Sequence, residues 1–76
     1  MNGGIFTNVS KFKKGDLVEA IMPISGSPIQ YGDRGRVQSV EWSKRWNTTE
    51  TTIKFHNHSE PIKLLGKCLA IKKRKD

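Results

Sequence analysis

The sequence predicts an all-β fold, a small closed or nearly closed barrel of about five short strands, and three observations carry that prediction. The first is a repeated grammar. Gly15-Asp16 and Gly32-Asp33 each stand before a run of apolar and β-branched residues, as a tight turn feeding a strand does. The second is alternation with a period of two, clearest where Ile53 and Phe55 oppose Thr52, Lys54 and His56; such a run buries one face of a strand and wets the other. The third is that no stretch of about ten residues repeats its apolar positions at a helical period.

In chain order, residues 1–10 carry Gly3, Gly4, Asn2 and Asn8 with little periodicity. They are expected to form a flexible lead, with Ile5 and Phe6 docking on the barrel. The barrel is expected over residues 11–71. It opens on a basic stretch around Phe12 and turns at Gly15. The first strand spans 17–22, with Val18, Ala20 and Met22 on one face and Glu19 on the other. Pro23 ends its hydrogen bonding, and 24–30 form a loop punctuated by Gly26 and Pro28.

Residues 31–37 are the centre of the pattern. Gly32 and Gly35 leave room for a turn with positive φ, which other residues enter at a cost, and Asp33 can bond backbone amides within it. The second strand, 36–42, places Val37, Val40 and Trp42 out of strict alternation. A bulge between 37 and 40 would restore one facing, and Trp42 is expected in the core. Residues 43–49 form a polar hairpin tip carrying Lys44, Arg45 and an exposed Trp46. The third strand covers 50–56. A turn at 57–61 leads to a fourth strand at 61–65, Gly66-Lys67 breaks it, and a last strand covers 68–71 with Leu69 and Ile71 inward. Residues 72–76 are expected to be a frayed, solvated basic tail.

The series Lys14-Gly15-Asp16-Leu17-Val18, then Gly32-Asp33-Arg34-Gly35-Arg36-Val37, then Val40 and Ile53-Lys54-Phe55 is similar to SH3-like barrels of the KOW type. The resemblance covers roughly residues 14–56. The spacer between Ile21 and Gly32 is longer than a compact unit of that type carries. The resemblance implies a module of transcription elongation factors or ribosomal proteins. The same spacing also resembles the E-type subunit family of photosystem I, small basic-faced barrels that dock on larger protein complexes. The two agree on fold and differ on partner, and fold alone does not choose between them.

Charge bears on function more directly. Fourteen Lys and Arg against seven Asp and Glu give +7 over 76 residues, which favours an anionic partner. Cations that would contact phosphates are Lys11, Lys13 and Lys14 around Phe12, Arg34 and Arg36 at the glycine turn, Lys44 and Arg45 at the hairpin tip, and Lys72, Lys73, Arg74 and Lys75 at the end. Trp46 and Tyr31 would supply stacking faces for bases. The expected function is non-enzymatic binding of RNA, DNA or a nucleoprotein machine, with low sequence specificity. The alternative is a protein-docking accessory or regulatory subunit that grips an acidic protein surface through a sheet edge or the 23–31 loop.

Other chemistry finds less support. So short a chain buries a thin core, worth about 3–5 kcal/mol net, with little room for a catalytic cleft. No acidic pair, phosphate loop or nucleophile elbow is present, and Cys68 beside Leu69 reads as a half-buried, inert thiol. No enzymatic activity and no cofactor are expected. His56 and His58 on one strand face, with Cys68, fall short of a zinc ligand set, so no metal is expected either. The single cysteine forms no intramolecular disulfide and suits a reducing compartment. With no apolar run of roughly 18–20 residues, the chain is expected to be a cytoplasmic monomer without a membrane partner.

Overall fold

The computed structural model describes residues 12–74. The expected lead at 1–10, Lys11, Lys75 and Asp76 lie outside the described residues. Five antiparallel strands form one sheet: β1 (Leu17–Ala20), β2 (Arg34–Ser43), β3 (Thr48–Phe55), β4 (Ile62–Leu65) and β5 (Ile71–Lys73), in the order β4-β3-β2-β1-β5. The fold is all-β, and the arrangement is compatible with an SH3-like fold. The barrel is not closed, because β4 and β5 are the two edges of the sheet and do not pair with each other. The connection between them places Cys68 in the core, where it is buried rather than half-buried.

The repeated Gly-Asp grammar becomes a repeated structure. In the first turn the Asp16 amide donates to the Lys13 carbonyl at 3.0 Å and the Asp16 carboxylate accepts the Lys13 amide at 2.8 Å. In the second, Asp33 does the same with Gln30 at 3.1 and 3.0 Å. Gly15 at φ 93° and Gly32 at φ 89° hold the third position of each turn, where a side chain would be strained.

Gly35 serves a different need. It lies within β2 at ordinary φ, opposite Val18 on one side and Phe55 on the other. A Cβ there would stand 2.7 Å from the Lys54 carbonyl oxygen and 2.8 Å from the Phe55 Cα. Here glycine supplies space, where sequence spacing suggested conformational freedom.

β2 and β3 form a long hairpin whose register shifts between Val37 and Ser39. The bulge therefore falls inside the expected interval, and it returns Val40 to the side of Val37. The core gathers Phe12, Val18, Ala20, Ile29, Val37, Ile53, Phe55, Cys68 and Ile71. Ile29 reaches it from the 23–31 loop, which closes on itself: the Ser27 hydroxyl donates to the Ile24 carbonyl at 2.8 Å and accepts the Ile29 amide at 3.2 Å.

Four expectations are corrected. Met22 is exposed, because β1 stops at Ala20 and the chain bends before the alternation can continue. Trp42 has the expected facing, opposite Thr49 on the side of Val40 and Thr51, yet it is 53% exposed. The reason lies on the β2 side of the hairpin: β1 pairs with β2 only at Arg34–Arg36, so no strand covers that flank. Leu69 is 73% exposed while Cys68 is buried, because Gly66 and Cys68 both take left-handed backbone (φ 72° and 56°) and invert the expected alternation. Last, Lys72 and Lys73 are not frayed. They belong to β5, paired with Glu19 and Val18, and the Arg74 amide donates to the Leu17 carbonyl at 2.8 Å.

Candidate nucleic-acid interface

Side chains alternate across each strand, so the register assigns cations to a face. Val37, Ile53 and Phe55 are inward, which turns Arg34, Arg36 and Lys54 outward. Lys63 lies beside Thr52 on that outer face, and Lys72 beside Glu19. One rung reads Lys72, Glu19, Arg34; the next reads Leu17, Arg36, Lys54. The outer face of the sheet thus carries five cations, with Arg34 and Lys72 flanking Glu19 on one rung and Lys63 at the far edge.

These cations differ in their freedom. The Lys54 ammonium donates to the carbonyls of Phe55 and His58, which offsets its repulsion from Arg36 directly across the ladder. Arg36 donates to the Gly15 carbonyl at 3.0 Å, so its guanidinium stands beside the exposed turn that carries Lys13 and Lys14. Lys63 approaches Glu50 at 3.9 Å and Lys73 approaches Asp16 at 3.7 Å; both are surface pairs of small energetic weight. Arg34 and Lys72 are exposed on the same rung.

The expected site residues therefore separate into two groups. Lys13, Lys14, Arg34, Arg36, Lys72, Lys73 and Arg74 surround β1 and its neighbours, and Tyr31, 74% exposed, sits in the turn that leads into Arg34. Lys44, Arg45 and Trp46 occupy the turn at the other end of β2. At about 3.3 Å per residue, the strand between them separates the groups by roughly 26 Å. Glu41 and Glu50 face each other across the hairpin on the outer side, an acidic rung between the basic face and the tip. Phe12, between the expected cations Lys11 and Lys13, is buried in the core. Sequence reasoning missed Lys54 and Lys63; the alternation of the third and fourth strands was the signal that placed them outward.

The histidines do not share a strand face. β3 ends at Phe55, His56 is exposed in the following turn, and His58 Nε2 lies 3.1 Å from the Asp33 carboxylate. The carboxylate can only accept, so Nε2–H donates. Among the described residues no group of three or more His, Cys, Asp or Glu side chains could hold a metal ion, and no helix is long and apolar enough to cross a membrane. The Asp33 carboxyl is held below its ordinary value of 3.8, first by the Gln30 amide and then by the His58 hydrogen bond.

That shift fixes the sign of a pH effect. A carboxyl with a depressed folded-state pKa stabilises the fold above its unfolded value, and the stabilisation is lost as pH falls through the folded value. Asp33→Asn is expected to flatten the acid limb of a melting-temperature profile below about pH 4. An unchanged limb in this variant would mean that the turn holds Asp33 without favouring its ionised form.

No family model matches the chain, and no match was found among curated proteins or solved structures. Fold and surface together define a small all-β protein with an open five-stranded sheet, a basic outer face and a projecting hairpin that ends in tryptophan and arginine.

Proposed function

We propose that this protein is a non-enzymatic nucleic-acid-binding module that holds RNA or DNA through its phosphates with low sequence specificity. The observation that carries this reading is the common facing of Arg34, Arg36, Lys63 and Lys72 on one side of the sheet, in a chain of net charge +7. A polyanion can meet several of these cations at once and release its counterions, which supplies most of the free energy of non-specific binding. The likeness of the Gly-Asp turns and the Gly-x-x-Gly-x-Val stretch to KOW-type barrels supports the same reading. A cytoplasmic location, in a transcription or translation setting, would follow from it.

The test is a titration of labelled single- and double-stranded DNA and RNA at several salt concentrations. Micromolar binding at low salt with a steep salt slope is expected. The double variant Arg34→Ala/Lys72→Ala should weaken binding to all sequences alike and reduce the slope by about two, one for each phosphate no longer neutralised. Absence of binding at low salt would overturn the reading. The protein-docking alternative, to which the photosystem I resemblance points, would then lead. The open edge of β4 or β5 would supply the grip, because the 23–31 loop spends its apolar side chain Ile29 on the core.

A further inference from the structure

The chain has two tryptophans, and both stand at the far end of the β2–β3 hairpin: Trp42 on its last inward position and Trp46 in the turn, 53% and 54% exposed. Beyond Val37, β2 has only β3 beside it, while β4 flanks β3 as far as Glu50, so the hairpin runs past both neighbouring strands at Trp42 and the turn. The turn is tied down, since the Trp46 amide donates to the Ser43 hydroxyl at 3.2 Å. The Arg45 guanidinium lies over the Trp46 ring at 5.0 Å from its centroid, a cation–π arrangement that orders both side chains.

We propose that this hairpin end is a stacking platform for unpaired bases, and that the nucleic acid bound is single-stranded. This rests on the nucleic-acid reading above and names its substrate class. An indole offers one N–H donor and no acceptor, so two of them read a groove edge poorly, whereas their faces suit exposed bases of any sequence. In a duplex those base faces are stacked on one another. On a single strand they are open, and the Trp46 face away from Arg45 is free to take one. The opposed Glu41 and Glu50, of which Glu50 has Lys63 at 3.9 Å, disfavour a backbone on the outer side of the hairpin end, which leaves the Trp42 side as the approach.

Because both tryptophans lie in the platform, intrinsic fluorescence of the full chain reports on it directly. The protein is titrated at low salt with a thymidine oligonucleotide and with a DNA duplex of the same length, while anisotropy of a label on the DNA records binding independently. The oligonucleotide is expected to bind more tightly and to quench the tryptophan emission; the duplex should leave the emission nearly unchanged. Trp42→Leu and Trp46→Leu are each expected to lose about tenfold in single-strand affinity and to keep duplex affinity within about twofold, while Trp46→Phe retains most of the binding. Binding without quenching, or equal losses on both DNAs, would overturn the platform and leave the basic face standing. No anisotropy change with either DNA, or with an RNA strand and an RNA duplex of the same length, would remove both proposals together. Melting curves of the variants separate lost stacking from lost folding.

Discussion

Gly35→Ala is expected to remove most of the stability of the fold at room temperature. The added Cβ would meet the Lys54 carbonyl oxygen at 2.7 Å and the Phe55 Cα at 2.8 Å, and both obstacles are backbone. Backbone cannot swing aside as the end of a flexible side chain can, so β2 and β3 would have to part at the rung that also joins β1 through Val18. Overpacking typically costs about 1–3 kcal/mol, sometimes more, against a total stability of about 3–5 kcal/mol for a domain this small. Gly32→Ala is a useful contrast: nothing lies within 4 Å of its Cβ, and only the φ of 89° is unfavourable, a loss of about 1 kcal/mol. Circular dichroism melts and amide NMR dispersion distinguish the two. A folded Gly35→Ala protein with a nearly unchanged melting temperature would mean that this approach does not constrain the sheet.

The second large effect is expected at the other end of the chain. A protein ending at Ala70 should fail to fold, whereas one ending at Arg74 should melt like the full chain. Ile71 is buried at 2% exposure and pairs with Ala20, and β5 is the neighbour that satisfies β1 on its outer side. Removing a buried isoleucine side chain alone costs about 2–5 kcal/mol. The Arg74 amide bond to Leu17 and the Lys72 and Lys73 pairings would go with it. A deletion of residues 72–76, which leaves Ile71 without its strand, should fall between the two. If all three truncations melted together, β5 would contribute nothing to the fold, and the basic run would be the solvated tail that its composition suggests.

That run illustrates how far the sequence can be read. Lysine and arginine in succession look like a solvated terminus, and nothing local marks Lys72 and Lys73 as strand residues. What makes them a strand is the open side of β1, more than fifty residues earlier in the chain. Trp42 is a similar case. Its facing followed from the alternation and the bulge, both local properties, but its exposure depended on where β1 stops pairing with β2. Cys68 and Leu69 exchanged places because a non-glycine residue adopted left-handed backbone, for which cysteine gives no signal. The two glycines three apart looked alike in sequence, and only the neighbouring strand separated a turn glycine from one that makes room.

Local sequence was enough for the all-β class, the two Gly-Asp turns, the interval of the bulge, the inward Val37, Ile53 and Phe55, and the excess of positive charge. Each depends on residues within a few positions of one another, through turn chemistry, the period of two and simple composition. It took the assembled sheet to establish that the barrel stays open, that β5 includes Lys72 and Lys73, that Ile29 joins the core, and which cations share a face with Arg34. These depend on which strands lie side by side. Lateral pairing joins residues far apart in the chain, and no local pattern records their partners.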